Sequence, residues 1–286
     1  TKEGGMVEPW NGAGKGALRT RIAPTPSGFL HVGNALNFLL AWKIARAAGG
    51  TIMLRIDDLD AERTRPEYLD DIFRSLEWLG IDWDEGPRDP DDHLTNWSQH
   101  LRMEGYRKLL DTLRAKGVLF ACDCTRSRSQ TCECAGKENA FDKPNLSWRL
   151  KTSDTQPVTF HDPDDRPITM DLHAVMPAPV LRQRDGSPAY QIASVADDEL
   201  FSINLIVRGK DLLPSTACQF HIAESAGLAG FPHARSIHHP LLTDKTGAKL
   251  SKSAGAGSLK AMRENGVDPL TIHELASKRM KHWRPA

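Results

Sequence analysis

The sequence predicts an α/β fold in which a parallel sheet carries helices on both faces. Two observations lead to this prediction. Short apolar runs alternate along the chain with longer segments whose apolar residues recur at helical spacing, which is typical of β–α–β units. The first apolar run also passes through a proline- and glycine-containing turn directly into the first helical pattern, at residues 21–34. We therefore expect the chemistry of the chain to be organised around that turn.

The composition is that of an ordinary globular protein. Of 286 residues, 40% are apolar and 26% are charged, which is enough for a sizeable core in one or two domains. The 37 basic and 37 acidic residues cancel, so any contact with RNA would rely on a local patch. No apolar run reaches membrane-spanning length and no signal peptide is recognised, so we expect a cytoplasmic protein with no membrane partner.

The elements of the first part of the chain follow from apolar spacing and from glycine and proline stops. For example, the helical pattern that starts at Ala35 ends at the pair Gly49 and Gly50. The predicted elements are a strand at 18–24, a helix at 35–48, a strand at 51–56, a helix at 66–79, an acidic loop at 84–96, a helix at 99–116 and a strand at 118–121.

After residue 121 the pattern changes to short apolar runs separated by proline, aspartate and glycine. This pattern predicts a separate strand-rich insertion, after which the sheet pattern resumes with a strand at 205–207 and a helix at 214–226. The predicted divisions are a flexible tail at 1–17, the first half of the main domain at 18–121, the insertion at 122–189, the second half at 190–255 and a short helical segment at 256–286.

The turn after the first strand is suited to binding an anion. Pro24 and Pro26 restrict the backbone, and Gly28 and Gly33 permit shapes or close approaches that side chains forbid. The helix that follows points free N–H groups and a positive dipole end towards a ligand, and His31 adds a possible donor. An ordinary strand-to-helix loop would show some of the same features, so the turn alone does not decide the function.

A second stretch, at residues 248–253, has the residue types for gripping a polyphosphate. It reads Ala-Lys-Leu-Ser-Lys-Ser between Gly247 and Gly255, and it supplies Lys249, Ser251 and Lys252. Lysines on a polar, glycine-flanked loop can close on phosphates and release them.

Four of the five cysteines crowd into 13 positions, at Cys122, Cys124, Cys132 and Cys134. In a cytosolic chain such a cluster points to a metal more than to disulfides, and four thiolates suit tetrahedral Zn²⁺. A reduced cluster without metal is the alternative. Cys218 stands alone in an apolar helical pattern, and we interpret it as a buried core residue.

Together the turn and the lysine loop resemble the HIGH and KMSKS signatures of class I aminoacyl-tRNA synthetases. The turn matches the form of the glutamyl branch, R-x-A-P-S-P-T-G-x-L-H-x-G. Three further segments, at 55–60, 185–198 and 207–216, resemble that branch's R-I-E-D-x-D, D-G-x-P-x-Y-x-x-A-x-x-x-D-D and R-G-x-D-L motifs in the same order. The likeness covers residues 19–255, and it implies a Rossmann-type catalytic domain with an insertion that contacts RNA.

The resemblance also implies the substrate sites. The glutamate pocket of the family falls on Arg21, Thr25, Asp57, Tyr190 and Arg208. The family usually has glutamate at position 57, so the contact with the substrate ammonium is the least certain. The ATP site falls on Gly28, His31, Gly33, Asn34, Lys249, Ser251 and Lys252, with His31, Lys249 and Lys252 as the catalytic set. Mg²⁺ is expected to accompany ATP.

Only 33 residues follow Ser253, so we expect no helical anticodon-binding domain. This resembles the short members of the glutamyl branch, which attach glutamate to the queuosine base in the anticodon of tRNA(Asp). The implied partners are ATP, L-glutamate and tRNA(Asp), and we expect a monomer. Those short members carry a zinc site with a C-x-C…Y-x-x-x-C pattern, whereas this chain has cysteines in both halves. Two alternatives stay open: a discrete or truncated glutamyl-tRNA synthetase that charges the 3′ end, and a non-catalytic, zinc-containing RNA-binding paralogue.

Overall fold

The structure is a computed structural model that describes residues 17–124, 132, 134–137, 140–241 and 257–281. Its strands are β1 (Arg19–Ile22), β2 (Thr51–Leu54), β3 (Leu119–Cys122), β4 (Ser147–Leu150), β5 (Val158–His161), β6 (Pro167–Met170), β7 (Val180–Arg182), β8 (Leu205–Gly209) and β9 (Arg235–His239). Its helices are α1 (Val32–Ala47), α2 (Pro66–Trp78), α3 (Pro90–Asp92), α4 (Met103–Ala115), α5 (Leu172–Val175), α6 (Tyr190–Leu200), α7 (Leu213–Ala226), α8 (Leu259–Glu264) and α9 (Leu270–Lys281).

The main sheet has six strands in the order β2-β1-β8-β9-β5-β6. The first five are parallel, and β6 pairs antiparallel with β5 at the edge. The predicted parallel α/β sheet is therefore confirmed. Among the described residues, no helix is both long and apolar enough to cross a membrane.

Helices cover both faces of the sheet. Ile52 and Leu54 of β2 belong to an apolar cluster with α1 and α2, whereas Met53 between them belongs to a second cluster with α4, α6 and α7. Successive residues of a strand point to opposite faces, so the two clusters lie on opposite sides of the sheet.

The predicted insertion at 122–189 is not one separate unit, and this part of the prediction needs correction. β5 and β6 extend the main sheet, where Phe160 stacks against Phe220 of α7 with ring centroids 5.2 Å apart. Conversely, most of β3 lies in the range predicted for the main domain, but the strand forms a small antiparallel sheet with β4 and β7. The apolar pattern predicted that this segment is rich in strands, but it carries no information on which distant strand each one pairs with.

Parallel strands bring their carboxyl ends to one edge of the sheet, which is where ligands bind in such folds. The turn after β1, the loop after β2 and the ends of β8 and β9 therefore meet there. α9 contributes Ile272 and Ala276 to the cluster around α1, which anchors the C-terminal segment beside the same half of the sheet. The predicted tail lies almost wholly outside the described residues.

Candidate active site

The turn after β1 forms a tight cap on α1. The backbone N–H of Gly33 donates to Nδ1 of His31 at 3.0 Å, and the N–H of His31 donates to Oδ1 of Asn34 at 3.1 Å. These reciprocal bonds fix the His31 ring over the helix N-terminus. A Cβ on residue 33 would lie 2.9 Å from Cε1 of His31, so glycine is required for this approach. Asn34 thus has a structural role at the position where the signature often has histidine.

The predicted lysine loop lies outside the described residues, including Lys249, Ser251 and Lys252. One of its described flanks contacts α1, and the other contacts the turn before α1. Nε2 of His239, at the end of β9, lies 3.1 Å from Oδ1 of Asn37. On the other flank, the N–H of Leu259 donates to the carbonyl of Leu30 at 2.7 Å. Gly28 lies in the same turn and is half-buried.

Three buried arginines converge at the carboxyl edge of the sheet. Arg21 comes from β1, Arg55 follows β2 and Arg208 comes from β8, and each is at most 5% exposed. Asp198 of α6 joins two of them: Nε of Arg21 donates to it at 3.1 Å, and Nη1 of Arg55 donates at 2.6 Å. Burial would raise the pKa of Asp198, but the neighbouring guanidiniums outweigh burial and hold the pKa below its usual value.

Asp57 is bound on both carboxylate oxygens by Arg55. Nε of Arg55 donates to Oδ1 at 2.6 Å and Nη2 donates to Oδ2 at 3.1 Å. Burial opposes the charge of Arg55, yet Asp57 and Asp198 together raise its pKa well above the usual value. The contact between Asp57 and a substrate ammonium stays a prediction. In the structure, both oxygens of Asp57 already accept hydrogen bonds from Arg55.

Arg208 differs from the other two arginines because its partners are neutral. Nη1 donates to Oε1 of Gln219 at 2.6 Å and to Oγ1 of Thr216 at 3.2 Å, and Nη2 donates to Oγ of Ser194 at 3.3 Å. Among the described residues, no carboxylate lies within ion-pair distance of Arg208, which is 3% exposed. A buried guanidinium without a carboxylate is costly unless an anion joins it.

Tyr190 and Thr25 are the exposed members of the predicted pocket. Tyr190 begins α6 and is 43% exposed, and Thr25 in the turn is also exposed. Burial lowers the pKa of Arg21, the attraction of Asp198 opposes this effect, and the charges of Arg208 and Arg55 add to it. The structure thus brings together Arg21, Asp57 and Arg208 of the predicted pocket, whereas Tyr190 and Thr25 are its two exposed members.

Arg55 and Asp198 lie within two of the motif segments, but the resemblance assigns neither of them a role in the pocket. A signal was present, because Asp197 and Asp198 interrupt an apolar helical pattern and a buried carboxylate needs a cationic partner. Asp197 is satisfied by Arg102, which donates through Nε at 2.7 Å, and by the hydroxyl of Tyr106 at 2.8 Å. These hydrogen bonds to Asp197 hold α4 against α6 directly behind the arginine cluster.

The four clustered cysteines meet at one point of the small sheet. Their sulfur atoms all lie within 4.8 Å of one another, and the Cys122–Cys132 and Cys124–Cys134 pairs are each 3.5 Å apart. Tetrahedral Zn²⁺ with bonds of about 2.3 Å separates its sulfurs by roughly 3.8 Å, so the donor set fits zinc. Arg184 donates to the carbonyl of Cys124 at 2.8 Å and thereby fixes this segment to the turn that precedes α6.

Comparisons with known proteins agree with this geometry. Residues 17–140 and 127–281 match the family described as tRNA synthetases class I (E and Q), catalytic domain. The Glutamyl-Q tRNA(Asp) synthetase of Nitratidesulfovibrio vulgaris is 35% identical over an alignment of 278 positions, which covers 89% of this chain and 84% of that relative. A glutamate–tRNA ligase of Ruegeria pomeroyi is 35% identical over an alignment of 283 positions, which covers 91% of this chain but 60% of that relative.

A solved structure supports the fold. The crystal structure of glutamate–tRNA synthetase from Elizabethkingia anophelis aligns with a TM-score of 0.72 at 22% identity, covering 92% of this chain and 61% of that one. This chain therefore spans about 60% of the length of the glutamate–tRNA ligases that it matches. By its sequence match over most of its length, the chain belongs to the class I tRNA synthetases of the E and Q group, the glutamyl and glutaminyl branch, whose members are ligases.

Proposed function

We propose that this protein activates L-glutamate with ATP and transfers the glutamyl group to the queuosine base in the anticodon of tRNA(Asp). The observation that carries the choice of amino acid is the buried Arg208, whose described partners are all neutral. Arg21, Arg55 and Arg102 are each paired with a carboxylate, whereas Arg208 has no carboxylate within ion-pair distance among the described residues, so its charge has no direct partner. A substrate carboxylate would neutralise it.

The convergence of Arg21 and Arg208 favours a substrate side-chain carboxylate held by two guanidiniums. Arg21 is bound to Asp198 through Nε, and Arg208 approaches from the neighbouring strand β8. Two guanidiniums can bind one carboxylate with several charge-assisted hydrogen bonds. In this proposal the exposed Tyr190 hydroxyl helps to hold the substrate ammonium, and Thr25 contributes to the same pocket.

The activation step needs no general base, because the substrate α-carboxylate is already ionised at neutral pH. A carboxylate oxygen forms a bond to the α-phosphorus of ATP, and the bond from that phosphorus to the bridging oxygen breaks as pyrophosphate leaves. In this proposal His31 and the cap of α1 meet the phosphates, and Lys249 and Lys252 meet the departing pyrophosphate. Mg²⁺ bound to ATP would supply further charge neutralisation.

The cysteine cluster is proposed to hold structural Zn²⁺ through Cys122, Cys124, Cys132 and Cys134. When bound, the metal would cross-link a segment whose own apolar cluster is small. The neighbouring small sheet is then a rigid platform for an RNA stem, which proteins read mainly by shape and backbone. We further propose that the protein works as a cytoplasmic monomer.

The choice of queuosine as acceptor rests on similarity to the Glutamyl-Q tRNA(Asp) synthetase, of which this chain covers 84%. The main alternative is transfer of glutamate to the 3′ end of tRNA(Glu), because the chain is also similar to glutamate–tRNA ligases. A non-catalytic RNA-binding role is disfavoured by the formed arginine cluster and cap, which RNA binding alone does not require.

The acceptor can be identified by following labelled glutamate. The protein is incubated with ATP, [14C]glutamate and either queuosine-containing tRNA(Asp), tRNA(Asp) lacking queuosine, or tRNA(Glu). We expect label on the first only, and this label should survive removal of the 3′ terminal nucleotide. Label on the terminal ribose of tRNA(Glu), with none on queuosine-containing tRNA(Asp), would establish the alternative.

A further inference from the structure

Arg208 is held by a line of buried side chains that carry no charge. Oε1 of Gln219 accepts its shortest hydrogen bond, at 2.6 Å. On its other side, Nε2 of Gln219 donates to Oε1 of Gln191 at 2.9 Å, and Nε2 of Gln191 donates to Oγ of Ser215 at 3.1 Å. Gln219 is completely buried and Gln191 is 8% exposed.

The orientation of both amides follows from chemistry. A guanidinium can only donate hydrogen bonds, so Gln219 must present its oxygen to Arg208 and its nitrogen to Gln191. Gln191 must in turn present its oxygen to Gln219. The donors and acceptors along this line of side chains therefore have one consistent orientation. The line offers Arg208 a strong acceptor that carries no negative charge.

The other two arginines of the cluster have carboxylates as partners. Arg21 and Arg55 share the carboxylate of Asp198, and Arg55 also binds both oxygens of Asp57. If residue 219 were a glutamate, Arg208 would be neutralised in the same way. Gln219 orients Arg208 as well as a carboxylate would, yet it leaves the charge available for a ligand.

We propose that Gln219 is a specificity-determining positioning residue, which makes the pocket select a carboxylate side chain over an amide one. This inference rests on the proposed activation of glutamate and adds the reason why glutamine is rejected. With Arg208 uncompensated, glutamate brings the missing negative charge, whereas glutamine leaves a buried cation unpaired.

The variant Gln219→Glu tests the charge with almost no change in shape. Gln191 can rotate its amide so that Nε2 donates to the new carboxylate and Oε1 accepts from the hydroxyl of Ser215, which keeps the hydrogen bonds satisfied. A second variant, Gln219→Met, removes the acceptor but adds no charge. The exposed residue Gln156 supplies a matched control, because Gln156→Glu makes the same chemical change far from the arginines.

Glutamate- and glutamine-dependent pyrophosphate exchange is measured for each variant, with the melting temperature as a check on folding. For Gln219→Glu we expect the KM for glutamate to rise by at least about tenfold with kcat within about threefold, and the preference for glutamate over glutamine to fall by at least about tenfold. The KM for ATP should not change. Gln219→Met should lower kcat/KM for both amino acids but keep the preference, and Gln156→Glu should behave as the wild type.

An unchanged glutamate KM and preference in Gln219→Glu would overturn the inference while leaving the proposed function intact. Equal losses with both amino acids, or equal losses of preference in the glutamate and methionine variants, would also overturn it and assign Gln219 a merely structural role. If Gln219→Glu does not fold, a loss of preference in Gln219→Met would contradict the charge argument, and a retained preference would support it. A wild type that neither binds nor activates glutamate would overturn the proposed function itself, and this inference with it.

Discussion

The arginine cluster and the cysteine cluster are held together in opposite ways. In the first, guanidiniums and carboxylates from β1, β8, α6 and the loop after β2 neutralise one another except at Arg208. In the second, four sulfur atoms lie within 4.8 Å of one another around a point suited to a cation that the chain does not supply. Under the proposed function, the comparison teaches that the first site completes its charge balance with a substrate, whereas the second would complete its structure with a metal.

The largest effect should come from breaking the cysteine cluster. For Cys132→Ser we expect zinc to fall from about one per chain to nearly none, because a zinc site with one ligand lost binds far more weakly. Elemental analysis and protease sensitivity of the small sheet report the change. Cys218→Ala is the control, since this cysteine is buried in α7 away from the cluster and its loss should leave zinc bound.

Glutamate-dependent pyrophosphate exchange by Cys132→Ser sharpens the same comparison. We expect exchange to persist, because the arginine cluster is held by protein ion pairs and not by the metal. Loss of exchange together with loss of zinc would show that the two regions are not independent. Wild-type protein without zinc would refute the metal proposal directly.

The next effect should come from Asp198, the carboxylate that joins Arg21 and Arg55. For Asp198→Asn we expect the free energy of unfolding to fall by about 3–5 kcal/mol, since buried guanidiniums lose their counter-charge. Urea unfolding measures this loss. The exposed ion pair of Asp165 with Arg235, at 2.6 Å, is the matched control, and Asp165→Asn should cost less than about 1 kcal/mol. Similar losses for both variants would contradict the role of Asp198.

A smaller effect concerns pH and His238, which lies beside Arg208 and bonds to Thr216 at 2.9 Å. Burial, followed by the positive charges of Arg208, His239 and Lys210, lowers the pKa of His238 to about 3. The unfolded chain binds a proton here below about pH 6.5, so stability is lost as the pH falls from there towards 3. The loss should be about 2 kcal/mol between pH 8 and pH 5.

The variant His238→Gln removes this titration and keeps a donor for Thr216. Its stability should therefore fall less steeply between pH 7 and pH 5 than that of the wild type, as measured by urea unfolding at several pH values. Other buried histidines contribute equally to both proteins, so the difference isolates His238. Parallel curves would mean that folding does not shift the pKa of His238 and would contradict the prediction.

The smallest effect is expected for Asp57→Glu, which restores the residue usual in the glutamyl branch. Arg55 binds both oxygens of Asp57, so we expect the carboxylate to act on substrate mainly through Arg55. The KM for glutamate should then change by less than about threefold, or roughly 0.7 kcal/mol. A tenfold tightening would show instead that residue 57 contacts the substrate ammonium directly.

The sequence predicted local features well because their causes are local. The turn from β1 into α1, the strands on either side of it and the helix that Gly49 ends all depend on residues close together in the chain, although the cap formed by His31 was not predicted. The cysteines likewise came together as their spacing indicated. The motif resemblance also located the three residues of the pocket that the structure brings together.

What the sequence did not predict depends on pairing between distant segments. Nothing in residues 158–170 indicates that β5 joins β9 and not β4. In the same way, the bond between Gln219 and Gln191 joins residues 28 positions apart on two helices, and only the packing of α6 against α7 creates it. The neutrality of the partners of Arg208 could therefore be recognised only in three dimensions.

The central claim is that the arginine cluster, with one uncompensated positive charge, is a site for activating glutamate. Pyrophosphate exchange measured without tRNA tests it most directly, with glutamate, glutamine and aspartate supplied separately at equal concentrations. We predict exchange with glutamate, and at least about tenfold lower kcat/KM with glutamine, which lacks the charge, and with aspartate, which is one methylene too short to reach. Equal exchange with all three amino acids, or none with glutamate, would contradict the account.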